Sequence, residues 1–226
     1  MRHLVVSIAA LTACTLSAQT PSKKATTPQT TTTKQQAGTV ERVWEKEPEG
    51  FLGIKFNEPL MVQKCPFKTA GQDTYYLDYE ALKSLEGVCL DTTDTLYRYQ
   101  KPENGTYKLQ NLPSLGIYYR ASVIAKNNVV SKITIDLKQP NFSVLLGAFK
   151  DRYGMPSSLE TSTVKTNAGA EFNAAYVTWK GKKLSIQMYE RMGRIDESYV
   201  VISDNAIIEE EIAAQRAKRG AEAQKF

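Results

Sequence analysis

An α+β domain is the fold this sequence predicts, with a hairpin, a helix and a meander forming an antiparallel sheet packed on one or two helices. Three observations predict it. Two β-rich runs, Tyr118 to Lys126 and Val129 to Leu137, flank Asn127-Asn128. The apolar residues Phe142, Leu145, Leu146, Phe149 and Tyr153 recur at helical spacing. Asn173 to Lys180 and Lys183 to Glu190 then flank Gly181-Lys182, a Gly-first pair of the kind that hairpin turns favour.

The chain opens with Met1-Arg2-His3, an apolar run from Leu4 to Leu16 and small residues before Gln19, the three-part layout of a secretory signal over residues 1–18. The run is too short to span a bilayer as a helix. Leu11-Thr12-Ala13-Cys14 also resembles the bacterial lipobox, in which the cysteine becomes the lipid-bearing first residue. Residues 19–47 are a Thr/Gln/Lys-rich stretch, including Thr30-Thr31-Thr32-Thr33. Such composition buries too little apolar surface to offset its ordering entropy, so a disordered linker is expected there. The folded domain is expected over 48–203, as one domain or two small subdomains, followed by a helix and tail over 204–226.

Within the domain, Leu52-Gly53-Ile54-Lys55-Phe56 reads as a short strand. Asn57 is placed to cap a brief helix running to Lys64, which Cys65-Pro66 ends. Tyr75-Tyr76-Leu77 and Leu96-Tyr97-Arg98-Tyr99 read as strand pieces, and Glu80 to Leu85 as a helical turn. A two-residue loop at Asn127-Asn128 would set Ile133 and Ile135 against Ser122 and Arg120. That poor apolar match calls for a longer loop or a bulge. Asn141 caps the Phe142 helix, and Gly154 and Pro156 end it. Counting outward from Gly181-Lys182 pairs Trp179 with Leu184, Val177 with Ile186 and Ala175 with Met188, an apolar face for the helix to cover. Ser198 to Ser203 adds another strand. The last helix carries Glu209, Glu210 and Glu211 near its start and Arg216, Lys218 and Arg219 near its end, docked by Ile207, Ile208 and Ile212.

Composition excludes several chemistries. The only histidine, His3, leaves with the signal, so the mature chain offers no imidazole for a nucleophile pair, a metal site or a pH switch. No metal site and no cofactor is expected. The formal net charge of +5 is spread along the chain without a basic footprint, so nucleic acid is not an expected partner. Once Cys14 is set aside, Cys65 and Cys89 remain, and export to an oxidising compartment makes them the expected disulfide.

Motifs that carry chemistry elsewhere lack their context here. Ser162-Thr163-Val164-Lys165 matches the S-x-x-K pattern of histidine-free serine enzymes, but it sits in an extended Ser/Thr run rather than at a helix start. Asp78 with Glu80, and Asp91 with Asp94, read as turn carboxylates without calcium-loop spacing. Tyrosines concentrate in the less regular half of the domain, with arginines among them. Tyr97, Arg98, Tyr99, Tyr118 and Arg120 are the candidate binding residues, since both residue types are enriched at binding surfaces.

Phe51 to Phe56, Pro59-Leu60, Cys65-Pro66 and the later Lys150-Asp151-Arg152-Tyr153-Gly154-Met155-Pro156, with Trp179 and Gly181, resemble small uncharacterised exported proteins of Gram-negative bacteria. More loosely, the chain resembles the helix-on-sheet units of β-lactamase-inhibitor-like proteins and small outer-membrane assembly lipoproteins. The resemblance implies protein binding without catalysis and carries over no functional residue.

The expectation is therefore a periplasmic or secreted envelope protein that binds another envelope protein, as an inhibitor or assembly accessory. A histidine-free, carboxylate-dependent hydrolase and a sugar- or peptide-binding module are the alternatives. Cleavage after Ala18 gives a mature chain starting at Gln19. Use of the lipobox gives one tethered to the membrane through Cys14 alone. Intact mass decides between them: the mass of a chain starting at Gln19 is expected, and an acylated Cys14 terminus would overturn it.

Overall fold

The computed structural model describes residues 44–71, 74–93, 104–166 and 168–223. The signal with Cys14, most of the 19–47 stretch, Asp94 and the Leu96–Tyr99 strand piece lie outside them. The fold is α+β. In chain order the elements begin with β1 (Gly50–Phe51), β2 (Ile54–Lys55), β3 (Phe67–Ala70), β4 (Thr74–Leu77), α1 (Tyr79–Lys83) and β5 (Cys89–Leu90). There follow β6 (Asn104–Gln110), β7 (Tyr119–Lys126), β8 (Val129–Lys138) and, after a 3₁₀ turn at Gln139–Asn141, α2 (Phe142–Tyr153). The chain continues through β9 (Ser158–Lys165), β10 (Glu171–Lys180), β11 (Leu184–Tyr189), β12 (Glu197–Asp204) and α3 (Asn205–Ala223).

Eight strands form one antiparallel sheet in the order β5-β6-β7-β8-β12-β11-β10-β9. One meander runs from β5 to β8. α2 then carries the chain to the far edge, and a second meander returns from β9 to set β12 beside β8. Registers across six of these strands align two apolar rows. One is Tyr107, Val123, Ile133, Ile202, Ile186 and Trp179; the other is Leu109, Ala121, Ile135, Val200, Met188 and Val177. All twelve are buried. The period-two alternation of each strand thus builds one continuous apolar face, whose removal from water is the main driving force for this layer.

The Asn127-Asn128 turn is a two-residue loop with positive φ at both positions (52° and 62°), the backbone that a right-twisted hairpin requires and asparagine tolerates. A bulge corrects its register. Ala125 pairs with Val130 but Ile124 with Lys132, leaving Ser131 as the extra residue, and its hydroxyl donates to the Ile124 carbonyl (3.0 Å). Ile133 and Ile135 therefore face Val123 and Ala121.

α2 buries Phe142, Leu145, Phe149 and Tyr153 against the apolar face, and Leu146 is half-buried. Asn141 makes no side-chain cap, because the 3₁₀ turn feeds directly into the helix. At the other end Gly154 has φ +80° and ψ −171°, a backbone that glycine adopts readily and that ends the helix. The indole N–H of Trp44 donates to the Tyr153 carbonyl and that of Trp179 to the Gly154 carbonyl, both at 2.9 Å. Phe149 links this end to the rest through rings on Phe51 (5.7 Å), Tyr153 (5.4 Å) and Trp179 (6.1 Å).

Four further expectations need correction. Leu52 to Phe56 is not one strand: Leu52 and Gly53 both have positive φ and fold it into the β1–β2 hairpin. No helix spans Asn57 to Lys64. That segment turns at Asn57 (φ 56°) and then runs irregularly, because its backbone bonds to the β7–β8 hairpin instead: Asn57 N–H to the Val130 carbonyl, Leu60 N–H to that of Asn128, and Val130 N–H to that of Glu58. The β10–β11 turn centres on Lys182-Lys183, closed by the Gly181 N–H on the Leu184 carbonyl (2.9 Å). Trp179 consequently faces Ile186 and Val177 faces Met188, a shift of two residues that keeps the same face inward. Finally, the folded residues begin before 48, since Trp44 is buried and Glu47 is bonded to the sheet.

Glu47 explains the displaced turn. Its carboxylate accepts from the backbone N–H groups of Lys182 (2.9 Å), Lys183 (2.6 Å) and Leu184 (2.7 Å). A Cβ at Gly181 would collide with that carboxyl, so glycine is present for the close approach of Glu47. Burial opposes the charge, but the three N–H groups outweigh it and hold the Glu47 pKa below its ordinary value.

Glu47→Gln is expected to cost about 1–2 kcal/mol, the low end for charge-assisted bonds because the carboxyl is partly exposed. A depressed carboxylate pKa contributes stability above the unfolded value and loses it as pH falls through the folded one. Denaturant midpoints of the two proteins should therefore differ at neutral pH and converge in acid. Gly181→Ala should also destabilise, and less so in a Glu47→Ala background; additive costs in that double-mutant cycle would refute the contact.

Candidate functional site

The sheet has two faces, and only one carries α2. On the other, the registers bring Arg120, Asp136, Tyr199, Tyr189, Tyr176 and Glu160 into one row across β7, β8, β12, β11, β10 and β9. Beside it runs a mostly polar row of Ser122, Thr134, Val201, Gln187, Thr178 and Ser158. These positions alternate with the core residues, which is why the same strands supply both. The first turns of α3 lean over one corner of this face, where Ile208 lines a cavity of about 370 Å³ with Lys132, Gln187 and Tyr199. Asp204 accepts from the Ile207 N–H (3.1 Å), Asn205 bonds Ser185 and the Gly181 carbonyl, and Glu211 pairs with Lys132 at 2.6 Å. Ile207 and Ile208 are half-buried while Ile212 is 41% exposed. Every described residue beyond it is exposed.

At the opposite corner a cavity of about 320 Å³ is lined by Tyr118, Arg120, Asp136, Lys138 and Glu197. Tyr118 is 75% exposed, a large aromatic presented to solvent at the lip. Lys138 is held by Asp196 (2.9 Å) and Glu197 (3.2 Å). Burial raises the Asp136 pKa; Arg120, its cross-strand neighbour, opposes that rise, and Glu197 adds to it. The corner therefore alternates cationic and anionic groups around one tyrosine.

The tyrosines of the row form a platform. The rings of Tyr176 and Tyr189 lie 4.9 Å apart at 31°. Burial, then the neighbouring Tyr176 and Tyr199 hydroxyls, push the Tyr189 phenol up to about 12. Such a surface offers hydroxyls and ring faces, with charges at both ends of the row.

Of the candidate binding residues, Tyr118 and Arg120 come together at the charged corner, while Tyr97, Arg98 and Tyr99 lie outside the described residues. Tyr176, Tyr189 and Tyr199 are functional candidates that clustering along the sequence passes over. Their signal was alternation: each is flanked by inward residues such as Val177, Met188 and Val200.

The other constellations serve structure. Cys65 and Cys89 form a disulfide that clasps a small cluster of Leu77 and Leu82 under the β3–β4 hairpin and α1. Ser162 and Lys165 project from opposite faces of β9, and Lys165 pairs with Glu171. Asp78 caps α1 and pairs with Lys68, Glu80 pairs with Lys83, and Asp91 is held by Thr93 and Gln110. Among the described residues no three His, Cys, Asp or Glu are grouped to hold a metal ion, and no helix is long and apolar enough to cross a membrane. No family model, curated protein or solved structure matches the chain.

Tyr189 is expected to titrate near 12 when followed by NMR of ring-labelled tyrosine. Its folded pKa lies above the unfolded one, so its contribution to stability is complete below about pH 10 and is lost as pH rises through the folded value. Tyr176→Phe should lower that pKa. A Tyr189 titrating like free tyrosine in the wild type would refute the coupled platform.

Proposed function

We propose that this chain is a non-catalytic protein-binding module, exported to the periplasm or beyond, that presents its second sheet face to an envelope protein. The observation that carries the reading is the row from Arg120 to Glu160, with Tyr118 exposed at its charged end. Tyrosine gives large, rigid contact area with a polar handle and few rotatable bonds, while the alternating charges of Arg120, Asp136, Lys138 and Glu197 select a partner of matching pattern. The Cys65–Cys89 disulfide supports an oxidising location. A carboxylate hydrolase draws no support from Asp78, Glu80 or Asp91, whose oxygens are engaged in caps, ion pairs and turns.

Site-specific photo-crosslinking tests the reading. With the crosslinker at Tyr118 of the full chain in its native host, one stoichiometric envelope protein is expected. Capture should fall at least about tenfold, roughly 1.4 kcal/mol, with Arg120→Glu at unchanged melting temperature. Capture indifferent to Arg120→Glu, or no captured protein, would overturn the proposal.

A further inference from the structure

A second surface lies on the helix side, away from the proposed protein-binding face and independent of it. A groove of about 860 Å³ runs between α2, the β1–β2 turn and the segment that leads from Asn111 into β7. Its walls are Phe51, Val88, Leu115, Tyr119, Ala148 and Phe149. The volume falls in the range of small-molecule sites, which are concave and mainly apolar. At its mouth Gly53 and Gly87 present no side chain, and a Cβ at either would meet nothing within 4 Å.

The polar groups of the groove narrow the class of ligand. The Asn111 amide N–H groups already donate to the Leu85 and Gly87 carbonyls (2.8 and 2.7 Å), and the Tyr119 hydroxyl donates to the Pro113 carbonyl (2.6 Å). The Tyr153 hydroxyl is engaged by Arg152. The Asn111 and Tyr119 hydrogens are thus committed to the protein itself and most of the wall is apolar side chain, so hydrocarbon is the best match for the part of a ligand inside the groove. Two charged residues line the groove, Asp151 and Arg152, adjacent at the last turn of α2 and both exposed. Neither forms an ion pair among the described residues.

We propose that the groove binds a single-chain amphiphile whose head carries both an anionic and a cationic group. The hydrocarbon chain lies along Ala148 and Phe149, the anionic group meets Arg152, and the cationic group meets Asp151. A lysophosphatidylethanolamine has this chemistry, with phosphate and ammonium on one head. The two adjacent charges of opposite sign, neither held in an ion pair among the described residues and Arg152 seated over the Tyr153 ring (5.7 Å), select it over a fatty acid or an uncharged surfactant.

The test is calorimetric titration of the full chain with palmitoyl lysophosphatidylethanolamine below its micelle concentration. Saturable one-site binding is expected, weakened at least about tenfold by Ala148→Phe, which fills the groove, and by Arg152→Glu, which reverses the head-group contact. Arg152 is exposed, so that variant keeps the test valid even if Ala148→Phe fails to fold. Asp151→Asn should weaken this ligand while leaving lysophosphatidylglycerol, which lacks the ammonium, unaffected. Absence of saturable binding would overturn the proposal. So would wild-type affinity in Arg152→Glu, or equal affinity for dodecyl maltoside or lysophosphatidylglycerol in the wild type.

Discussion

A mismatch between the size of the apolar sheet face and the size of the helix covering it governs the rest of this structure. The two apolar rows cross six strands, about 24 Å at ordinary strand spacing, and eight strands make the whole sheet wider still. α2 has twelve residues, about 18 Å of helix. One such helix cannot shield that face. Cover is completed by pieces with little regular structure: Trp44, the β1–β2 hairpin with Phe51 and Ile54, Phe56 and Leu60 on the segment after β2, and the approach to β7. The irregular half of the sequence is irregular because it fills the gaps around a helix. The apolar groove lies between two of those pieces.

The same constraint separates what the sequence discloses from what it hides. Local chemistry specified the Asn127-Asn128 turn, the α2 stripe with its Gly154 stop, and the alternation of β10, β11 and β12. Each of these answers to neighbours a few residues away. Sequence and structure part where a distant partner decides the outcome. Phe56 and Leu60 have helical spacing, yet the backbone around them is claimed by the β7–β8 hairpin. Gly181 reads as a left-handed turn residue, yet it has an ordinary φ and makes room for a carboxylate 134 positions earlier. Glu47 itself sits among residues whose composition gave no sign of a structural role.

Site residues were harder to read than the fold for a related reason. Tyr118 and Arg120 lie two positions apart and share a face by alternation alone. The row through Tyr199, Tyr189 and Tyr176 exists only when five pairings are in register, and one of them joins β8 to β12 across the α2 crossover. A pairing between strands so far apart leaves no periodic mark in the sequence. Tyrosines that are unremarkable one at a time become a platform through topology.

The attachment of Glu47 also gives the domain a mechanical polarity. A load applied through residues that precede Trp44 enters at the indole lodged against Tyr153 and at the carboxylate held by the β10–β11 turn. It meets those contacts before it reaches the two-residue strands of the β1–β2 hairpin, whose few hydrogen bonds would unzip one by one. The three N–H bonds on one carboxylate must instead break together, at the turn that joins β10 and β11 of the main sheet. The first described residues are thus fastened to the eight-stranded sheet and not to the small hairpin that follows them in the chain.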